Sequence, residues 1–278
     1  MKHNEDIGPY TKPSSTMIDY HVHTSLCNHA TGTMEEYVRA AVAKGLDTLC
    51  FLDHLTFQEA GRDNAMRPRE VPMYVDAARR LARQYRERID VRVGLEVDFS
   101  PEHVGDCEDV INTFDLDVVG SSVHFLDGEN VVSRRSGWSR GELDADVVYG
   151  KYLDVIESML DYDYFDMVCH LDLPKKYNTH PSPSVVDRFG ELLKKIQSKD
   201  LAVELNTSGF TYPVAEAFPS PQLIGWCARL QIPMVTGSDA HAPDQVGRSF
   251  DQARDLLKDA GYRELIGFSH RQKEHVAL

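Results

Sequence analysis

The chain alternates between short runs of consecutive apolar residues and longer segments in which apolar residues recur every three or four positions. Continuous apolar runs are typical of strands that are buried on both faces of a parallel sheet. The three- and four-residue spacing is typical of helices that pack one face against such a sheet. The pattern therefore predicts an α/β fold in which seven strands alternate with helices.

The predicted strands occupy the apolar runs at residues 17–23, 48–53, 91–95, 118–123, 167–169, 201–206 and 234–238. After a first helix that starts at Thr33, helices are predicted at 71–89, 101–113, 144–161, 184–199, 221–230 and 249–260. Thr33 and Glu36 have capping-box spacing at the start of the first helix, and Gly45 ends it. Ser184 and Ser220 are the predicted N-caps of two later helices.

Polar side chains with metal-binding chemistry stand near the ends of these strands. Alternation of side chains along an extended strand puts His21 and His23 on the same face, so the pair can chelate one ion. Other histidines and carboxylates stand at later strand ends, or close behind the first: His29, His54, Glu96, His124, His170, Asp239 and His241. These nine residues are the predicted metal ligands.

Ligands at so many strand ends form one site only if those ends converge. An open sheet does not bring seven strand ends together, whereas a closed barrel does, with its site on the C-terminal face. We therefore predict a distorted (β/α)7 barrel with the site at the C-terminal ends of the strands.

The ligand types limit the metals and the chemistry. Imidazoles and carboxylates without thiolates favour zinc, iron or manganese over calcium or magnesium. The five cysteines form no C-x-x-C pair, so a thiolate zinc knuckle is not indicated. A polynuclear cluster in a barrel mouth indicates catalysis, and we expect two to three divalent transition-metal ions. Such ions acidify bound water to hydroxide and can hold a phosphoryl group for its in-line attack.

The charge of the chain limits its partners. A formal net charge of −14 argues against a nucleic-acid track, because such binding depends on cationic surface. An anionic substrate is still allowed, since bound divalent cations make a carboxylate-rich pocket electropositive. Basic residues in segments that follow strands suit phosphate capture, namely Arg134, Arg135, Lys175, Lys176 and Arg248. Asn206 and Ser208, at the end of the strand without a ligand, are further candidates for substrate contact.

Length and composition predict a single domain. The 278 residues contain no linker and no internal repeat, so one domain is expected over residues 15–278. Residues 1–14 are polar and contain two prolines, and we predict a loose N-terminal arm there. No apolar run is long enough to span a membrane and no signal-peptide core begins the chain, so we expect a cytoplasmic protein without a membrane partner.

Three residues outside the ligand set are also candidates. Asp98 shares the face of Glu96 and is predicted to orient a ligand. Asp53 precedes His54 and points to the opposite face if the strand is regular. A packing role and a functional role are equally open for this residue. His180 lies in a loop after the fifth strand and is a minor candidate for substrate contact.

The ordered motifs resemble the PHP (polymerase and histidinol phosphatase) superfamily, and most of all its histidinol-phosphate phosphatase branch. The resemblance runs from about residue 17 to 260 and rests on the segments HVH, DH, GLEVD, SVHF, CHLD, ELNTSG and GSDAH. It implies a distorted barrel holding three metals, with Glu96, Asp239 and His241 as catalytic residues. It also implies three ligand groups: His21, His23, Glu96 and Asp239 for the first ion, Glu96, His124 and His170 for the second, and His29, His54 and His241 for the third.

The resemblance implies a phosphomonoesterase acting on a small metabolite, with L-histidinol phosphate as the leading candidate. Another small phosphate ester, such as a nucleotide, is the first alternative. An amidohydrolase-type hydrolase is a second, although its bimetal members usually carry a bridging lysine where this chain has His124. A non-catalytic binding module is a third alternative. Missing ligand residues would favour it, but all nine ligand positions of the family are filled in this chain.

One segment departs from the family pattern. After Asn-Thr-Ser-Gly, histidinol phosphatases commonly have a hydrophobic residue followed by arginine and lysine, whereas this chain has Phe210, Thr211 and Tyr212. Neither threonine nor tyrosine replaces the charge of a forked guanidinium at a phosphate group. We therefore expect weaker phosphate affinity, and less tuning to histidinol phosphate than in close relatives, unless a basic residue from a neighbouring loop compensates.

Overall fold

A computed structural model describes residues 16–278, and the predicted arm at residues 1–14 lies outside this range. Seven parallel strands form one sheet and pair in chain order: β1 (Ile18–Val22), β2 (Thr48–Leu55), β3 (Asp90–Asp98), β4 (Val118–Ser122), β5 (Met167–Val168), β6 (Ala202–Asn206) and β7 (Met234–Gly237). Each lies within or next to a predicted apolar run, and most of their residues are buried.

The sheet nearly closes on itself, because the chain after β7 returns to the end of β1. The backbone N–H of His23 donates to the carbonyl of Ala240 at 3.0 Å, and the N–H of Ala240 donates to the carbonyl of His21 at 3.3 Å. The predicted distorted (β/α)7 barrel is therefore confirmed.

Helices follow or precede the strands and cover the outside of the sheet: α1 (Met34–Ala43), α2 (Val71–Tyr85), α3 (Val104–Thr113), α4 (Ala145–Met159), α5 (Pro183–Ser198), α6 (Pro221–Arg229) and α7 (Phe250–Ala260). The capping box of Thr33 and Glu36 is confirmed, and Ser220 accepts from the N–H of Leu223 as an N-cap. The prediction for Ser184 is wrong: α5 begins at Pro183, whose fixed φ suits a first helical turn, and Ser182 is the N-cap.

Two further predicted helix boundaries differ from the structure. The helix predicted at 71–89 already ends at Tyr85, and the segment predicted at 101–113 starts as a 3-10 turn, Pro101–His103, before α3. Within residues 16–278, none of the helices has both the length and the apolar character that crossing a bilayer requires.

A C-terminal hairpin of two antiparallel strands, β8 (Glu264–Ser269) and β9 (Gln272–Ala277), was not predicted. It covers the N-terminal end of the barrel, where the hydroxyl of Tyr20 donates to the carbonyl of Phe268 at 2.8 Å. The N–H of His270 donates to Oδ1 of Asp117 at 3.1 Å, immediately before β4. The hairpin thus closes the end of the barrel that lies opposite the strand ends bearing the predicted ligands.

Candidate metal centre

The seven predicted histidine ligands form one continuous cluster of imidazoles at the C-terminal ends of the strands. His21 and His23 lie 4.9 Å apart between ring centroids, which confirms that both point to the same face of β1. The other rings follow at centroid separations of 4.0 to 5.7 Å: His23 to His241, His241 to His29, His54 to His124, His124 to His170, and His170 to His21. The predicted convergence of these strand ends is therefore confirmed.

Glu96, at the end of β3, is the carboxylate around which the cluster is built. Its side chain is fully buried, and Oε2 lies 2.7 Å from Nδ1 of His54 and 3.2 Å from Nε2 of His21. On the other side, Oε1 lies 2.8 Å from Nε2 of His170 and 3.6 Å from Nε2 of His124. One carboxylate thus faces imidazoles from four different strand ends.

Asp239, just beyond β7, is the second carboxylate of the cluster. Its Oδ1 lies 3.1 Å from Nε2 of His23 and 3.4 Å from Nδ1 of His241. The backbone φ of Asp239 is 51°, and that of His170 is 28°. Left-handed backbone is uncommon for residues other than glycine and is often found at functional sites. Here it turns both side chains into the cluster as the chain leaves the strand.

Several buried atoms of the cluster lie close to other ligand atoms but make no hydrogen bond of acceptable geometry among the described residues, namely Nε2 of His21, His23 and His241 and Oε2 of Glu96. Leaving buried polar atoms unpaired costs free energy, so such atoms normally have a partner. A divalent ion would satisfy these lone pairs together. Imidazole and carboxylate donors suit zinc, iron or manganese, so the residues present fit the predicted metals.

The electrostatics of the cluster also suit metal binding. Burial lowers the pKa of His54 to about 3 and the pKa of His241 well below its usual range, so both imidazoles are neutral and keep a free lone pair. Burial alone would raise the pKa of Glu96, but the surrounding imidazoles hold it well below the usual range. Carboxylates beside His21 and His23 outweigh the effect of burial and raise the pKa of these two imidazoles, that of His23 to about 9, so an ion that binds there would displace protons.

Glu204, inside β6, supports two ligands from behind and was missed by the sequence reasoning. Its Oε1 lies 2.6 Å from Nδ1 of His21, and its Oε2 accepts from the backbone N–H of His170 at 2.9 Å. Gly237 makes room for this carboxylate, since a Cβ there would lie 2.0 Å from Oε1 of Glu204. A carboxylate behind a metal-binding histidine fixes its tautomer and orientation. A buried acid within an otherwise apolar strand was the available signal.

We expect Glu204→Gln to weaken metal binding by about 10–100-fold, which is typical for loss of a group that orients a ligand. The amide keeps the shape of the side chain but loses the negative charge beside His21. Competition with a chromogenic chelator would measure the affinity. Glu191→Gln, the same change at an exposed site on α5, is the matched control, and equal affinities in the two variants would contradict the assignment.

Asp53 and Asp98 have similar supporting roles. Oδ1 of Asp53 lies 3.3 Å from Nδ1 of His23, so the structure favours the functional role for this residue. Oδ1 of Asp98 accepts from the backbone N–H of His124 at 2.7 Å and lies 3.4 Å from its Nδ1. The predicted role of Asp98 in orienting a ligand agrees with this geometry.

The cluster opens into a cavity of about 570 Å³. His29, His54, His124, His170, Asp239 and His241 line it, together with three of the five predicted phosphate-binding residues, Arg134, Lys176 and Arg248. A concave site with convergent ligands and basic side chains is the usual form of a small-molecule site.

Residues 19–208 match the family described as PHP domain, and residues 222–253 match the family described as PHP-associated. The chain belongs to the PHP family. Its relatives also place it in the histidinol-phosphatase branch. It is 37% identical to the probable histidinol-phosphatase of Deinococcus radiodurans over 93% of this chain and 98% of that protein. The histidinol-phosphatase of Lactococcus lactis is 28% identical over 91% of this chain and 94% of that protein.

Solved structures share the fold of this PHP chain. The crystal structure of Lactococcus lactis histidinol phosphate phosphatase, complexed with zinc, L-histidinol and phosphate, superimposes with a TM-score of 0.83. The match covers 93% of this chain and 99% of that chain at 24% identity. A Listeria monocytogenes protein described as a putative histidinol phosphatase gives a TM-score of 0.77 at 22% identity, over 84% of this chain and 99% of that chain.

Several predicted substrate contacts of the PHP chain do not line its cavity. The ammonium of Lys175 instead lies 3.0 Å from Oε2 of Glu216 and 3.2 Å from Oδ2 of Asp172. The side chain is turned away from the cavity because it pairs with these acids. Arg135 is exposed at the surface, and His180 lines a separate cavity beside α5.

Asn206 and Ser208 are fully buried and do not line the cavity of the PHP chain. The hydroxyl of Ser208 donates to Oδ2 of Asp239 at 3.1 Å, and the amide of Asn206 donates to the same oxygen at 3.4 Å. Neither side chain therefore faces the cavity, where substrate contact was predicted, and both bind the Asp239 carboxylate instead.

Proposed function

We propose that this PHP protein is a metal-dependent phosphomonoesterase whose substrate is L-histidinol phosphate. The proposal rests on one observation above all, a cluster of nine predicted ligand residues, five of them buried, that opens into a cavity with basic side chains in its wall. It is supported by relatives that are named histidinol-phosphatases and match nearly the whole chain.

Two to three divalent ions of zinc, iron or manganese are proposed at this cluster. His21, His23, Glu96 and Asp239 would hold the first ion, Glu96, His124 and His170 the second, and His29, His54 and His241 the third. The short distances from Glu96 to the imidazoles around it support a bridging role. When bound, such ions supply an acidified water and neutralise charge on a phosphoryl group.

The side chains of the protein would bind and orient the ester. Glu96, Asp239 and His241 are the proposed catalytic residues, since they fix the ions at the cavity, and Asp239 and His241 line it directly. Arg134, Lys176 and Arg248 bring positive charge to the same cavity, which suits a dianionic phosphate group. A small phosphate ester other than histidinol phosphate is the alternative substrate.

A panel of phosphate monoesters would test the substrate. We expect kcat/KM for L-histidinol phosphate to exceed the values for nucleoside monophosphates and sugar phosphates by at least about tenfold, because one well-placed polar contact to the leaving group is sufficient for that ratio. His241→Ala, purified in the same way, controls for contaminating phosphatases. A higher kcat/KM for a nucleotide or a sugar phosphate would replace the proposed substrate, and no turnover of any ester would refute the phosphatase function.

A further inference from the structure

The loop after β6 carries no cation into the cavity. This loop begins with a 3-10 turn, Thr207–Thr211, and the hydroxyl of Thr211 donates to the carbonyl of Ser208 at 2.8 Å. Thr211 and Tyr212 line the cavity with a hydroxyl-bearing side chain and an aromatic ring. If this part of the wall contacts an anion, the positive charge must come from another loop.

Lys176 brings such a charge from the loop after β5. Its ammonium lies 4.1 Å from the centroid of the Tyr212 ring and 6.0 Å from that of Tyr177, and the side chain lines the cavity. Within the described part of the chain, no carboxylate lies at ion-pair distance from this ammonium. The aromatic faces hold the cation by cation–π attraction and leave its N–H groups without an acidic partner.

Arg248 and Arg134, the other two cationic side chains of the cavity, are less suited to bind an anion beside Tyr212. Arg248 donates from Nε to the carbonyl of Ser238 at 2.9 Å and from Nη2 to the carbonyl of Asp239 at 2.7 Å. Two of its three nitrogens therefore bind the backbone at Ser238 and Asp239. Arg134 is solvent-exposed, so water screens its charge and competes for its donors.

Lys175 joins the loop after β5, which carries Lys176, to the loop after β6, which carries Tyr212. This buried ammonium pairs with Glu216 at 3.0 Å and donates to the carbonyl of Ala217 at 2.7 Å, both in the loop after β6. The two adjacent lysines therefore have different roles. Lys175 joins the loop after β5 to the loop after β6, and Lys176 lies over the ring of Tyr212.

We infer that Lys176, placed on the ring of Tyr212, binds the phosphate group of the substrate and supplies the cation that the loop after β6 lacks. This inference rests on the phosphatase function proposed above and names a determinant of its phosphate affinity. Burial lowers the pKa of Lys176 to about 8, whereas the charge of Asp239 works in the opposite direction. A bound dianion would stabilise the charged form.

Lys176→Met tests the inference. We expect KM for L-histidinol phosphate and the dissociation constant of inorganic phosphate to rise by about 10–100-fold, the range for loss of one charge-assisted hydrogen bond. We expect kcat to change by less than about threefold, because the contact is made in the ground state and in the transition state alike. Steady-state kinetics and phosphate titration calorimetry on the metal-loaded protein measure these values.

Matched variants separate the lysine from its surroundings. Lys194→Met, at an exposed site on α5, should match the wild type. Tyr212→Leu removes the ring on which the ammonium lies and should raise the phosphate dissociation constant by about threefold to tenfold. Metal content should stay constant throughout.

Two outcomes would overturn the inference. The first is a dissociation constant for phosphate in Lys176→Met within twofold of the wild type. The second is a loss that appears with histidinol phosphate but not with p-nitrophenyl phosphate, because the two esters share only the phosphate group. Failure of the phosphatase proposal is distinguishable, since wild-type protein would then turn over no ester, and phosphate calorimetry would still test Lys176.

Discussion

Glu96→Gln is expected to reduce kcat by more than about 10³-fold, a larger loss than that caused by any change of a basic residue in the cavity. Loss of a single electrostatic contact to a transition state costs roughly 10²–10³-fold. Glu96 does more, because imidazoles from four strand ends approach its two oxygens. The amide removes the charge that joins two proposed ion sites, so both sites are disturbed at once.

Two measurements on Glu96→Gln distinguish a ligand from a structural residue. Elemental analysis should show at least one ion fewer per chain than in the wild type. Glu102→Gln, the same change at an exposed position before α3, should retain full activity and metal content. A near-normal kcat in Glu96→Gln would mean that this carboxylate only supports the fold.

Removal of the metals is the second change for which a large effect is expected. We expect freshly purified protein to hold two to three transition-metal ions per chain and to lose turnover completely after chelation. We also expect Tm to fall by about 10–20 °C. Two sites, each saturated at about 100 times its Kd, together contribute about 5 kcal/mol to the free energy of unfolding, and each kcal/mol corresponds to about 2–4 °C in a domain of roughly this size.

Repletion is the control for the metal experiment. Zinc, manganese and iron(II), added singly to the chelated protein, should restore both activity and Tm with at least one of these metals. Magnesium should not restore them, since it prefers oxygen ligands and octahedral geometry. One ion or fewer per chain in fresh protein, with no gain after added metal, would contradict the proposed polynuclear centre.

The sequence was sufficient to predict which side chains converge at the strand ends, because their signal is local. The H-x-H pair of His21 and His23 follows from the two-residue period of a strand. His54 and Glu96 fall at the ends of apolar runs, where side chains of parallel strands meet on one face. The same local reasoning found the capping box of α1, since its two members stand three residues apart.

Helix boundaries were predicted less accurately than the helices themselves, because more than one residue near a helix end can serve as its cap. Ser182 and Ser184 are both plausible N-caps, and the intervening Pro183 decides for Ser182. The C-terminal hairpin was not predicted because its stability comes from distant contacts. Tyr20 in β1 and Asp117 before β4 bind its backbone, and neither contact has a sequence signature near residue 270.

The sequence by itself determined the barrel and the positions of nine converging side chains, because strand period and strand-end position depend on neighbouring residues alone. Only the tertiary structure decided what supports and surrounds those ligands. Glu204 reaches His21 from another strand, and Ser208 turns to Asp239 instead of the cavity. Lys175 and Lys176 are adjacent in sequence, yet Glu216 of another loop holds the first away from the cavity while the ring of Tyr212 supports the second within it. The direction of a side chain in a loop depends on contacts far apart in sequence, and composition and spacing do not encode them.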